Sequence, residues 1–435
     1  MSMNGYQCFA CSAIQPAEFK GFLCPVCGGN LDITYDYEAV ARELAEGFLQ
    51  EPRDIFRFAA LLPLKKLRSA FPLRVGATPF YHARRLGESV GMQNLYLKDD
   101  TLNPSASLKD RASAVAIGRA LDIGVKVVSV ASTGNAGSSL ACPAAATGLT
   151  AVVFVPASAP VAKLTQMLAF GARVLAVKGN YDDAYDLCLA ASKKFGWFNR
   201  SIGYNAFTRE GKKTCAYEIW QDLGERVPDR VVVSTGDGNT LSAIWKGWCD
   251  LKAVGLINRL PKIDCVQSEA SAAICQTVRQ IRSGDESKVN WSTVIVREVN
   301  ATTLADSISV NRPRDGLAAV RAIIQSGGEA VTVADDEILS AIPEIASTTG
   351  VFTEPAAAAP WAGVKQMIRN QDIASDELVV CIASGNGLKD INNARAVVGK
   401  PQMIEPSLRA VREHPARDFR QMSPPEIPAK KLTDH

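Results

Sequence analysis

The chain has 435 residues, with 48 Lys and Arg against 45 Asp and Glu and a formal charge of +3, so it carries no electrostatic footprint for nucleic acid or an anionic membrane. At 47% hydrophobic and 21% charged residues it has an ordinary globular composition, long enough for two or three domains at roughly 150 residues each. No apolar run approaches the roughly 18 residues of a membrane span, and the opening MSMNGYQCFAC holds no basic segment followed by an apolar core, so no secretory leader is read there.

Histidine and cysteine usage narrow the chemistry further. Three histidines occur, His82, His414 and His435, and the last two belong to the polar end of the chain. With one histidine left for the folded body, Ser-His-Asp or Cys-His catalysis and multi-histidine metal sites are disfavoured. Eleven cysteines, an odd number and with no leader, predict a reducing, cytoplasmic setting over a disulfide framework.

In chain order, residues 1–36 read as a small cysteine-bearing module. Cys8-Phe-Ala-Cys11 is followed twelve residues later by Cys24-Pro-Val-Cys27-Gly-Gly. Two CxxC pairs on tight turns are the ligand set of a tetrahedral structural Zn2+, and four thiolates leave no open position for catalysis. Lys20 is the only base in 1–40, against Glu18, Asp32, Asp36 and Glu38, so a nucleic-acid role for the ribbon is disfavoured. Residues 37–60 are helix-like with a break at Pro52, and the Pro-punctuated passage after them reads as extended or loop.

From about 95 to 400, apolar β-branched runs at 127–131, 151–155, 173–177, 230–234, 263–267, 329–333 and 378–382 alternate with helical stretches at 109–121, 136–146, 182–195, 211–222 and 241–254. Continuous apolar strands between helices predict mostly parallel sheets covered on both faces. The predicted fold class is α/β: two doubly wound domains, a large one from 37–124 and 205–400 and a small one from 125–204, plus the N-terminal zinc-ribbon-like module. Residues 401–435, charged and proline-rich, read as an extended tail.

Four loops carry the candidate chemistry. Ser105-Ala-Ser107-Leu-Lys109-Asp110-Arg111 opens a helix, with Ser107 as expected N-cap. Lys109 at the positive end of a helix dipole would have its ammonium form disfavoured and its amine made more nucleophilic, although the segment alone also fits a solvated charged turn. Ser132-Thr133-Gly134-Asn135-Ala-Gly-Ser138-Ser139 joins a strand to a helix and offers amides and hydroxyls to a carboxylate, or simply makes a tight turn. Thr235-Gly236-Asp237-Gly238-Asn239-Thr240 opens another helix. It suits one phosphate monoester and lacks the third glycine of a dinucleotide fingerprint. Asp237 is repulsive toward a phosphate and must point away or bind through a donor. Ser384 ends the last core strand, where a side chain faces the crevice.

Together these segments resemble the pyridoxal-phosphate enzymes of fold type II. Within that family the N-terminal CxxC…CxxC, Asn205-Ala-Phe-Thr-Arg209-Glu-Gly-Lys212-Lys-Thr, Gly76-Ala-Thr-Pro, Phe352-Thr-Glu-Pro-Ala and GNGLKD are most similar to the threonine synthases. The resemblance implies pyridoxal 5′-phosphate bound to Lys109 as a Schiff base. Asn135 would meet the ring hydroxyl, the turn of Gly236, Asp237, Gly238, Asn239 and Thr240 the cofactor phosphate, and Ser384 the pyridine nitrogen. It assigns the substrate carboxylate to Ser132, Thr133, Gly134 and Ser138, and a substrate phosphate to Asn205, Arg209 and Lys212. The implied reaction turns O-phospho-L-homoserine and water into L-threonine and phosphate, in a cytoplasmic homodimer. Another fold type II β-elimination or β-replacement enzyme (threonine/serine dehydratase, diaminopropionate ammonia-lyase or cysteate synthase type) is the alternative. Two departures bear on substrate: the acid within TGDGNT, and the stretch 301–314, which is unlike the threonine synthase pattern.

Overall fold

The computed structural model describes residues 3–65, 71–132 and 134–413. Three sheets organise the chain. β1 (Met3–Cys8), β2 (Ile14–Pro16) and β3 (Leu31–Tyr35) form a small antiparallel sheet in the order β2-β1-β3. β3, LDITY, buries every second residue, as a strand covered on one face should.

The largest sheet has the order β12-β11-β10-β13-β5-β4, drawn from β4 (Phe80–His82), β5 (Leu95–Asp99), β10 (Arg230–Ser234), β11 (Lys262–Ser268), β12 (Ala330–Val333) and β13 (Val379–Ala383). All its pairings are parallel except that of edge strand β4 with β5. The remaining sheet is parallel throughout, in the order β8-β7-β6-β9, from β6 (Val127–Ala131), β7 (Thr150–Pro156), β8 (Arg173–Val177) and β9 (Phe198–Asn199). RVVVS of β10 and VVCIA of β13 are buried at every position, which is what continuous apolar runs predict for central strands with helices on both faces. The chain is thus α/β with parallel and mixed sheets. Among the described residues no helix is long and apolar enough to cross a membrane.

Two charged segments are taken into the interior. In β5, LYLKD, Lys98 is fully buried between Glu218 and Asp222, each at 2.9 Å. The helix expected at 211–222 starts earlier and is two helices, Phe207–Lys212 and Thr214–Asp222. Its polar first turn, TREGKK, is taken into the interior by ion pairs of Lys213 with Glu210 (2.6 Å) and Asp250 (2.7 Å). Gly211 lets this helix touch the Lys109–Asp122 helix, since a Cβ there would lie 1.9 Å from the Arg111 carbonyl oxygen. At the C-terminal end the described chain carries a short helix, Leu408–Glu413; residues 414–435 of the expected tail, with His414 and His435, lie outside the described residues.

The carboxyl ends of β10 and β13 run directly into the turns at Thr235 and Ser384, and that of β6 into Ser132. That is where a parallel sheet places its ligands.

Candidate active site

Lys109 is the first residue of the Lys109–Asp122 helix, and its neighbours fix it there. The Asp110 carboxylate accepts from the Ser105 amide and hydroxyl, both at 2.6 Å. Arg111 pairs with Asp100 and Glu218, each at 2.7 Å, in the interior. Two members of the KDR triplet are therefore scaffold, and Lys109 alone lines a cavity, together with Ser132, Asn135, Arg200, Asp237, Asp306 and Ser307. Burial holds the Lys109 amine below the ordinary lysine value; Lys163 and Arg200 add to this and Glu354 opposes it. Ser107 is not the N-cap. Leu108 occupies that position, its amide bonded to the Ser384 carbonyl at 2.9 Å, and the buried Ser107 hydroxyl is left without a partner.

Asn135 opens the Asn135–Thr147 helix at the same mouth. Its amide nitrogen donates to Glu354 Oε1 (2.5 Å) and Ser307 Oγ (3.1 Å), while its buried Oδ1 has no partner. Gly134 is packed on the Lys163 side chain, where a Cβ would meet Cδ at 2.0 Å, so only glycine fits. The Ser132 hydroxyl accepts from the Gly134 amide at 2.9 Å. Ser138 faces away from the cavity and accepts from Lys389 Nζ at 2.9 Å. Thr133 lies outside the described residues. Ser384 is buried, and among the described residues its hydroxyl makes no hydrogen bond.

The glycine turn precedes the Asn239–Ala253 helix with Gly238 as N-cap at φ +91°. A Cβ on Gly238 would come within 2.8 Å of the Asp315 carbonyl oxygen, and one on Gly236 would crowd Ile308 and Val310. The first intrahelical bond is from Ser242 N–H to the Gly238 carbonyl (3.0 Å), so the amides of Gly238, Asn239 and Thr240 have no acceptor within the helix. Asp237 binds through a donor, as its charge required: Oδ1 accepts from the Arg314 amide at 3.0 Å. Burial pushes its carboxyl up to about 6.

The three residues expected at a substrate phosphate are not brought into the cavity around Lys109. Asn205 stabilises its own turn, accepting from the Phe207 amide (3.0 Å) and donating to the Asn199 carbonyl (2.8 Å). Arg209 is spent on Asp315, both oxygens at 2.6 Å, and on Asp32 at 3.1 Å. Lys212, fully buried, donates to Asn239 Oδ1 at 2.7 Å and so lies under the glycine turn.

A different cation occupies the cavity wall. Arg200, fully buried, follows the two-residue strand β9 and donates only to Ser113 Oγ (3.1 Å), Ser139 Oγ (3.2 Å) and the Lys109 carbonyl (3.4 Å). Among the described residues it makes no ion pair, and its Nη1 has no partner. The other fully buried arginines, Arg111, Arg209 and Arg230, all have carboxylates. Lys163, from the Val161–Ala169 helix, donates to Asp306 Oδ2 at 2.8 Å and lies 3.7 Å from Glu354. Sequence reasoning missed Arg200 and Lys163. For Lys163 the usable signal was a long cation inside the apolar stretch PVAKLTQMLAF; Arg200, in the polar strip NRSIGYN, gave none.

The donor sets fit their expected ligands. Asn135 Oδ1 is an orphan acceptor beside Lys109, and the free amides of the glycine turn suit a phosphate. The thiols of Cys8, Cys11, Cys24 and Cys27 all lie within 4.8 Å of one another, with Cys8–Cys27 at 3.5 Å and Cys11–Cys24 at 3.7 Å. Sulfurs on a tetrahedral metal at about 2.3 Å lie about 3.8 Å apart.

Comparison with known proteins agrees. Residues 72–385 match the pyridoxal-phosphate dependent enzyme family. The chain is 35% identical over 414 residues to the threonine synthase of Methanosarcina acetivorans, covering 94% of this chain and 98% of the relative. It is 37% identical over 402 residues to that of Methanocaldococcus jannaschii, covering 92% and 96%. Among solved structures, the processed threonine deaminase isoform 2 of Solanum lycopersicum is similar in fold, with TM-score 0.60 at 21% identity, covering 73% of this chain and 86% of that one. The chain therefore belongs to the pyridoxal-phosphate dependent enzyme family and is a threonine synthase-like lyase within it.

Proposed function

We propose that the chain converts O-phospho-L-homoserine and water to L-threonine and phosphate. The observation that carries this reading is Arg200. A buried guanidinium with no ion pair costs several kcal/mol unless a ligand supplies a counter-charge; this one lines the cavity with Lys109, and Asp110 offsets only part of its burial. Burial lowers Arg200 to about 10, so it remains a cation at neutral pH. A small amino acid bearing a second anion satisfies it, where unphosphorylated serine or threonine would leave it bare. This moves the substrate phosphate from Asn205, Arg209 and Lys212 to Arg200.

Pyridoxal 5′-phosphate held here supplies the electron sink for loss of the α-proton. The chain does the rest. Lys109, its amine biased to the neutral form, takes and returns protons at the substrate carbons. Asn135 Oδ1 would accept from the cofactor ring hydroxyl, Ser384 would meet the pyridine nitrogen, and the Gly236–Thr240 amides would hold the cofactor phosphate. Ser132 and the amides after it bind the substrate carboxylate. Lys163 ties the Val161–Ala169 helix to Asp306, which lines the cavity. The reading also includes one structural Zn2+ at Cys8, Cys11, Cys24 and Cys27, the division into large and small domains at 125 and 204, and a cytoplasmic homodimer.

Incubation with O-phospho-L-homoserine should release inorganic phosphate and L-threonine in equal amounts, and Lys109→Ala should lower that rate by about 10³-fold or more. Ammonia and a keto acid from unphosphorylated serine or threonine, with no phosphate release, would favour the elimination alternative.

A further inference from the structure

We infer that the N-terminal cysteine knuckle braces the glycine turn that holds the cofactor phosphate, and that metal binding at the four cysteines and pyridoxal-phosphate binding are thermodynamically coupled through Arg209 and Asp315. The inference rests on the proposed metal site and turn.

Phe9 stands between Cys8 and Cys11. Its ring carries the Arg209 guanidinium at 4.4 Å, and its carbonyl accepts from Arg321 at 2.8 Å. Its amide donates to the carbonyl of Asn30, at 3.0 Å, so the two cysteine turns present Phe9 and Asn30 as one surface. Asn30 donates to the Arg314 carbonyl (2.7 Å) and to Asp315 Oδ1 (3.1 Å). Arg209 donates on one side to the Leu31 carbonyl and Asp32, on the other to Asp315. From Asp315 one step reaches the glycine turn. Its Oδ2 accepts from Asn239 Nδ2 (2.8 Å) and Ser242 Oγ (3.2 Å), its amide donates to the Asp237 carbonyl (2.9 Å), and the Arg314 amide holds the Asp237 carboxylate. Asn239 in turn accepts from Lys212.

This path is short and, from Arg209 and Asp315 onward, buried, and it has a reason to respond to metal. A module of some 36 residues lacks the core to fold by itself, and a metal held by four thiolates supplies that energy. Without it nothing fixes the turns that present Phe9 and Asn30, Arg209 loses its aromatic seat, and Asp315 loses its anchor. The amides of Gly238, Asn239 and Thr240 are then free to turn away from the phosphate. Coupling of this kind is reciprocal: each ligand changes the other's affinity by the same factor.

The test uses the full chain, Zn2+ and pyridoxal phosphate. Cofactor is titrated back into stripped protein, metal-loaded or EDTA-treated, and followed by its bound absorbance. Metal removal should weaken cofactor binding about tenfold, and cofactor removal should weaken Zn2+ binding by the same factor. Phe9→Leu should weaken cofactor binding in metal-loaded protein. In Asp315→Asn, metal removal should have no further effect. Should that variant not fold, Asn30→Ala, which deletes a neutral, half-buried amide, takes its place and should shrink the metal effect. Equal cofactor affinity with and without metal, or full additivity in the variant, overturns the inference alone. A chain that takes up no metal overturns both it and the zinc reading.

Discussion

Arg200 and Arg209 lie nine positions apart and are both buried, yet they stand in opposite electrostatic situations. Arg209 has two carboxylates and an aromatic face; Arg200 has two hydroxyls, a carbonyl and an open cavity. The first is a compensated strut and the second an unbalanced charge held in place for something absent from the chain itself. In a linear sequence both are simply arginines in a polar strip. What separates function from scaffold is the count of counter-charges, and that count is a property of the fold.

The contrast predicts opposite outcomes for the same substitution. Arg209→Gln leaves Asp315 buried without its partner, a loss of about 3–5 kcal/mol. It should show as a large drop in melting temperature, with loss of cofactor. Arg200→Gln removes an unpaired charge and should leave the melting temperature of ligand-free protein unchanged or raised. It should raise KM for O-phospho-L-homoserine by about 10–100-fold, the worth of a charge-assisted hydrogen bond of roughly 1.5–3 kcal/mol. If both variants merely lost stability, Arg200 would be another strut.

The legible part of the sequence was the part whose meaning is local. The strands from β6 to β8 and from β10 to β13, β11 with its Asp264 and Gln267 apart, are short runs dominated by apolar residues, and their positions follow from that local pattern. Lys109, Asn135 and the glycine turn sit where a strand-to-helix turn must put them. Arg209 and Lys212 were assigned to a substrate phosphate by resemblance, while long-range partners at 32, 239 and 315 engage them in the interior. Arg200 carries no local signature, and Lys163 only that of a long cation inside an apolar run. Glu354 and Ser307 were visible only as fragments, and it takes the fold to show them meeting at Asn135.

Lys212 sharpens the contrast at smaller scale. Burial holds it well below the ordinary lysine value, with Lys109 and Arg200 adding to this, and its single hydrogen bond goes to Asn239. Lys212→Met should therefore loosen the glycine turn and weaken cofactor binding by about 5–10-fold, a net loss of about 1–1.5 kcal/mol for one hydrogen bond. With saturating cofactor, KM for the phosphorylated substrate should stay within twofold of wild type. A selective rise in that KM would return Lys212 to the substrate phosphate and move Arg200 aside.

The smallest expected effect belongs to Asp237, the acid in the turn. Its folded-state value of about 6 lies above the ordinary 3.8 because burial penalises the carboxylate. The folded chain therefore binds this proton more tightly than the unfolded chain does. Its contribution to stability is present in full below about pH 4 and is lost as pH rises through about 6. Asp237→Asn removes that term and keeps an acceptor for the Arg314 amide. The wild-type advantage in melting temperature over the variant, measured without cofactor, should thus shrink between about pH 4 and 6 and be flat above. A difference that grows with pH would mean that the ionised carboxylate is itself the stabilising form, held by Arg314 more strongly than burial opposes it. The turn would then carry a fixed negative charge against the phosphate it is proposed to hold.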